Sequence, residues 1–132
     1  MQAICWRPNH GCLFGSSGFR ASPSGPLQSL YQFKVNTFCI FDNNHITIEG
    51  NTNSTFTEDV AARFLAYGWN VLRVGDANDV DRIEQALHIF RQTKGRPTFI
   101  ILDSHIGYGS SHKQDTAEAH GEPLAEEEVR LT

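Results

Sequence analysis

Three short apolar runs, at residues 37–41, 70–74 and 98–102, constrain this chain more than any other feature. Each is bounded by polar residues and is too short for a buried helix, so each reads as a strand. Two stretches of helical spacing lie between them. Thr57-Glu58-Asp59 opens the first, with Thr57 as the expected N-cap and the acids at the positive end of the helix dipole. Val60, Phe64 and Tyr67 recur on one face, and Gly68 supplies the stop. The second runs from about Val80 to Thr93, with Val80, Ile83, Leu87 and Phe90 as its expected buried face, and Gly95 and Pro97 end it. Apolar strands joined by helical crossovers mean a parallel sheet with helices packed on it. The fold class is therefore α/β, a partial parallel sheet with flanking helices.

The charge divides the chain. Residues 1–41 hold no Asp or Glu, and only Arg7, Arg20 and Lys34 as cations, so all 15 acids follow them. The same segment is rich in Gly, Ser and Pro around Gly15-Ser16-Ser17-Gly18 and Ser22-Pro23-Ser24-Gly25-Pro26. A boundary is read near Lys34. Residues 1–33 form a low-complexity, unstructured leader, and residues 34–132 carry the regular α/β pattern. The leader's acid-free, Ser-rich composition is that of some organelle transit peptides, but the cytoplasm is the expected location. The net charge of −4 argues against a nucleic-acid partner and against anionic membranes, and no apolar run is long enough to span a bilayer. Cys5, Cys12 and Cys39 make an odd count without a Cys-x-x-Cys pair, which argues against a disulfide framework and leaves Cys39 as a small buried hydrophobe.

In an open α/β sheet the ligand sits beyond the carboxyl ends of the strands. Two loops qualify here, from Asp42 to Gly50 and from His105 to Leu124. In the first, Asp42-Asn43-Asn44-His45-Ile46 sets amide, acid and carbonyl groups directly after a strand. Asx residues there make turns by local hydrogen bonding. The same oxygens suit a hard cation such as Mg²⁺, above all one that also binds phosphates. In the second, Gly107-Tyr108-Gly109-Ser110-Ser111 is a flexible turn that lacks the Lys of a P-loop. His105, His112 and His120 do not share a helical face in the manner of a zinc site. Glu126-Glu127-Glu128 reads as the solvated start of a short amphipathic helix whose apolar face is Leu124, Val129 and Leu131.

Several stretches, in order, carry a resemblance: Phe41-Asp42-Asn43-Asn44-His45-Ile46-Thr47-Ile48-Glu49-Gly50, Phe56-Thr57-Glu58-Asp59-Val60, Arg63-Phe64-Leu65-Ala66-Tyr67-Gly68-Trp69, Arg96-Pro97-Thr98, Ile106-Gly107-Tyr108-Gly109-Ser110 and His120-Gly121-Glu122-Pro123-Leu124. From about Asn36 onward the chain resembles transketolase, a thiamine diphosphate enzyme, in the distal part of its diphosphate-binding domain. The resemblance implies transfer of a two-carbon ketol unit between sugar phosphates by a homodimer that uses thiamine diphosphate and Mg²⁺. It implies that Asn44 offers its side-chain oxygen and Ile46 its backbone carbonyl to the metal. Asp42 would lie by the cofactor, Ile106 would line its pocket, and His120 would be the catalytic residue facing the diphosphate and the donor hydroxyls.

The chain departs from that family's pattern, and the family's other catalytic histidines, earlier in its chain, have no counterpart in residues 1–33. The Gly-Asp-Gly that supplies a metal-binding Asp should precede Asn44, and no acid lies upstream of Asp42. The expectation is a fragment, without the pyrimidine-binding domain and inactive by itself. The alternatives are a related thiamine diphosphate enzyme, such as the first component of a 2-oxo acid dehydrogenase or deoxyxylulose phosphate synthase, and a non-catalytic fragment.

Overall fold

The computed structural model describes residues 2–7, 11–15, 37–47, 50–52, 57–123 and 125–131. The strands are β1 (Gln2–Arg7), β2 (Gly11–Gly15), β3 (Phe38–Asn43), β4 (Ile46–Thr47), β5 (Gly50–Asn51), β6 (Asn70–Val74) and β7 (Thr98–Asp103). The helices are α1 (Val60–Ala66), α2 (Val80–Gln92) and α3 (Glu126–Leu131), with a 3₁₀ turn at Glu118–His120.

The main sheet runs β2-β1-β3-β7-β6. Its β3-β7-β6 half is parallel, with Ile40 opposite Ile100 and Leu72 opposite the same residue on the other side. This is the expected partial parallel sheet. Alternation along the strands gives each face its own core. Cys39, Phe41, Phe99 and Ile101 meet Val60 and Phe64 of α1, together with Trp69. Val74 and Ile100 meet Ala86 of α2, with Phe38, Ile40, Leu72, Ile83, Leu87 and Leu102 packed around them. One helix therefore covers each face of the strands.

The structure differs from the sequence expectation at several points. Strands β1 and β2 fall within residues 1–33, where no regular structure was expected. The backbone of β1 pairs antiparallel with β3 and closes that sheet edge, which otherwise would present unpaired amides and carbonyls. The rest of the leader, Lys34 at the proposed boundary and Leu124 lie outside the described residues. Cys39 is fully buried as expected, yet it is disulfide-bonded, against the reading from the odd cysteine count. The residue opposite it in the β1–β3 register is Cys5.

Local chemistry sets the helix ends. The cap of α1 is Asp59, not Thr57: its carboxylate accepts from the Ala62 amide at 2.9 Å. Gly68 (φ 79°) holds the left-handed conformation just past the Tyr67 cap and ends α1 at little steric expense. By contrast, α2 ends at Thr93, which is already extended, and Gly95 (φ 75°) turns the chain two residues later. Val80 is 71% exposed and is not part of the buried face. It is the first residue of α2, and the face that packs on the sheet is Ile83, Ala86, Leu87 and Phe90. Asp79 caps α2 by accepting from the Arg82 amide at 3.0 Å. Asp79→Ala is therefore expected to lower stability by about 1 kcal/mol, seen as a lower urea midpoint with an unchanged slope. Among the described residues no helix is long and apolar enough to cross a membrane.

Candidate functional site

Parallel pairing sends the ends of β3 and β7 to the same edge of the sheet. Asp42 lies opposite Leu102 and Asn43 opposite Asp103, so residues 44–46 and 104–106 leave side by side. Side-chain hydrogen bonds then join the two loops. Ser104 Oγ donates to one oxygen of Asp42, and Asn44 Nδ2 donates to the other at 3.3 Å. Asn44 Oδ1 accepts from the Ile46 amide at 3.1 Å, which makes an Asx turn. His45 at the corner has φ 58°, a left-handed conformation that only a few side chains enter readily. Behind it, Ile46 and Thr47 pair with Asn51 and Gly50 as a small ribbon.

Asn43 points to the opposite face from Asp42, as strand alternation requires. Its Nδ2 donates to Asp103 at 2.6 Å and lies 3.1 Å from His45 Nε2. Arg73 of β6 grips Asp103 with two nitrogens, at 2.8 and 3.0 Å. Burial pushes the Asp103 carboxyl up, but hydrogen bonds from Arg73 and Asn43, with the charge of Arg73, hold it below its ordinary range. Asn43, His45 and Arg73 border a cleft of about 350 Å³ beside the start of α1, which Phe41, Val60 and Ile101 also line.

The segment after β7 contains Ile106 and His120. His105 Nδ1 lies 2.8 Å from Asp115 Oδ2, and the Asp115 amide donates to the Ile106 carbonyl at 2.9 Å. Gly107 has φ 63°, and a Cβ there would lie 3.2 Å from that of Ala119, so the turn folds back onto the 3₁₀ segment. His120 is half-buried, and its Nδ1 is shut from water without a hydrogen-bond partner among the described residues. A buried ring nitrogen of that kind calls for a partner.

The structure thus gathers Asp42, Asn44 and Ile46 into one hydrogen-bonded turn. It sets Ile106 and His120 on the adjoining loop, and the cleft beside α1 is lined by Asn43 and His45 instead of these five. The oxygen donors suit Mg²⁺ in kind. They do not fit in number: a near-octahedral ion would receive from this turn one amide oxygen and one carbonyl, and among the described residues no group of three His, Cys, Asp or Glu could hold a metal. No chemical step is therefore routed through a metal here. Sequence reading missed Asp103, Arg73 and Ser104, whose partners lie 30 to 62 residues away.

The family profile described as "Transketolase, thiamine diphosphate binding domain" matches residues 21–132. The chain belongs to the transketolase family. The match begins ahead of residue 34, within the segment read as leader. A transketolase from a Nostoc species is 41% identical over 124 residues, covering 92% of this chain and 18% of that protein. One from Geobacillus stearothermophilus is 44% identical over 93 residues, covering 70% and 14%. Among solved structures, transketolase from Leishmania mexicana superposes with a TM-score of 0.75 at 34% identity, covering 80% of this chain and 16% of that one. A Pichia stipitis transketolase complex with sedoheptulose 7-phosphate gives 0.72 at 35% identity, covering 80% and 15%. The chain spans less than a fifth of the length of these transketolases.

Proposed function

We propose that residues 34–132 are the distal part of a transketolase diphosphate-binding domain, and that the two loops at the sheet edge are its share of the cofactor site. The observation that carries this reading is the turn from Asp42 to Ile46, which holds its oxygens at the carboxyl end of a parallel strand. In the whole enzyme, Asn44 Oδ1 and the Ile46 carbonyl would give Mg²⁺ two neutral oxygens, and a carboxylate from elsewhere would complete the set. Asn44 Oδ1 keeps a second lone pair for this after accepting from the Ile46 amide. Asp42 would lie beside the cofactor, Ile106 would line its apolar part, and His120 would serve as the catalytic residue toward the diphosphate and the donor hydroxyls. The orphaned His120 Nδ1 supports that assignment. Thiamine diphosphate would supply the carbanion chemistry, while this chain's residues bind and orient it. The reaction would be ketol transfer between sugar phosphates in a cytoplasmic homodimer.

Calorimetric titration of the purified chain with thiamine diphosphate and Mg²⁺ tests this. Weak binding is expected, because the carboxylate share of the metal site is missing. Asn44→Ala should weaken it roughly tenfold further by removing one of two protein oxygens. Equal affinity in the variant and the parent would refute the assignment of Asn44. No turnover of xylulose 5-phosphate with ribose 5-phosphate is expected from the chain alone.

A further inference from the structure

The C-terminal helix is held in an unusual way. A helix normally docks by an apolar stripe, and the sequence offered Val129 and Leu131 for that. Both are exposed, at 59% and 55%, and the buried residue of α3 is Glu128. Its carboxylate is directed into the loop after β7 and accepts three hydrogen bonds there. Ser110 Oγ donates at 2.6 Å, the His112 amide at 2.7 Å and His112 Nδ1 lies at 3.0 Å. Ser110 Oγ also accepts from the Lys113 amide at 3.2 Å, which carries the connection one residue further.

Such contacts are directional, whereas apolar contact tolerates sliding. A buried carboxylate saturated by donors fixes the positions of those donors, and a half-satisfied one would be expelled. The donors belong to the segment that follows Ile106 and leads to His120. The Ser110 amide donates to the Gly107 carbonyl at 3.0 Å and the Asp115 amide to Ile106 at 2.9 Å, so a shift at 110–112 reaches both.

We propose that Glu128 is a positioning residue: from α3 it clasps Ser110 and His112 and so fixes the conformation of the loop between Ile106 and His120. The relevance of that loop to a cofactor rests on the reading given under Proposed function; the clasp itself does not. Hydrogen bonds from Ser110, then from the His112 amide and ring, hold the Glu128 carboxyl down to about 2. The clasp is therefore ionised throughout the range in which the protein would work.

Amide hydrogen exchange on the full chain tests it. Glu128→Gln loses the charge that favours all three hydrogen bonds. It also puts an NH2 group where one carboxylate oxygen accepted, facing either the Ser110 hydroxyl and the His112 amide or the His112 ring. The His112, Lys113 and Asp115 amides should then exchange about tenfold faster or more. The amides of β3, β6 and β7 should keep their rates. Ser110→Ala removes one donor and should speed the same amides by a smaller factor, so it decides the matter if Glu128→Gln does not fold. Unchanged exchange at 112–115 in a folded variant would overturn the proposal. Titration with thiamine diphosphate and Mg²⁺ separates the two claims. A parent chain that binds nothing defeats the cofactor reading and leaves the exchange result to judge the clasp. Parent and loosened Glu128→Gln chains that bind equally well would show that the clasp positions nothing the cofactor uses.

Discussion

Phe99→Ala is expected to abolish cooperative folding of this chain. Phe99 is fully buried in β7 and stacks on Phe64 of α1 with ring centroids 3.7 Å apart and planes 7° apart. Phe41 lies alongside at 5.9 Å, and Trp69 meets the ring edge-on at 6.2 Å. Truncation removes the ring that three neighbours share and leaves a cavity the rigid sheet cannot close, at a loss of about 3–5 kcal/mol. A domain of this size is stable by about 5–15 kcal/mol at most, and a sheet of which only part is parallel and double-covered belongs near the bottom of that range. The expected result is loss of the sigmoidal thermal transition followed by circular dichroism. Phe99→Leu, which keeps most of the volume, should retain the transition at a lower midpoint. Tyr108→Ala, at a side chain 64% exposed, should stay within about 0.5 kcal/mol of the parent. A Phe99→Ala chain that melted like the parent would place the core elsewhere.

The same contacts explain why so much of the fold was legible. Strands such as 98–102 are apolar on both faces because α1 and α2 cover both, and a short, continuous apolar run between turn residues fits a doubly covered strand better than any amphipathic element. Gly68 punctuates α1 because it holds a positive φ just past the cap, and Gly95 turns the chain toward β7 after α2 has ended. What stayed hidden depends on contacts distant in sequence. Thr57 and Asp59 are equally good caps on paper, and only the position of the Ala62 amide chooses between them. Glu128 reads as one of three solvated acids until Ser110 and His112 are seen to meet it. The strands β1 and β2 need the open edge of β3, which no local pattern in the leader announces. The turn from Asp42 to Ile46 was legible because its hydrogen bonds are local, whereas the network behind it was not.

That network yields the second large effect. Asp103 sits where β3, β6 and β7 meet and serves two donors at once, Asn43 and Arg73. Asp103→Ala should destabilise the chain by about 1–3 kcal/mol, and most of that falls on one partner. The Arg73 side chain is 63% exposed and returns to water with little loss. Asn43 is only 9% exposed, so its amide loses its charged acceptor where water has poor access and keeps only the His45 ring nitrogen at 3.1 Å. An Asn43→Ala, Asp103→Ala pair should therefore be less damaging than the sum of the single changes, whereas pairing Asp103→Ala with Asp79→Ala should be additive. The dependence on pH has a definite sign. A carboxyl held below its ordinary range in the folded chain contributes stability above its unfolded pKa of about 3.9. That contribution is lost as pH falls through the folded value, since the unfolded chain takes up the proton first. Urea midpoints measured downward from pH 5 should fall for the parent, and fall less steeply for Asp103→Asn, which has no charge to lose there. Parallel curves for the two would mean that Arg73 and Asn43 do not favour the ionised form of Asp103, and that the three strands are joined at this point by their backbone pairing alone.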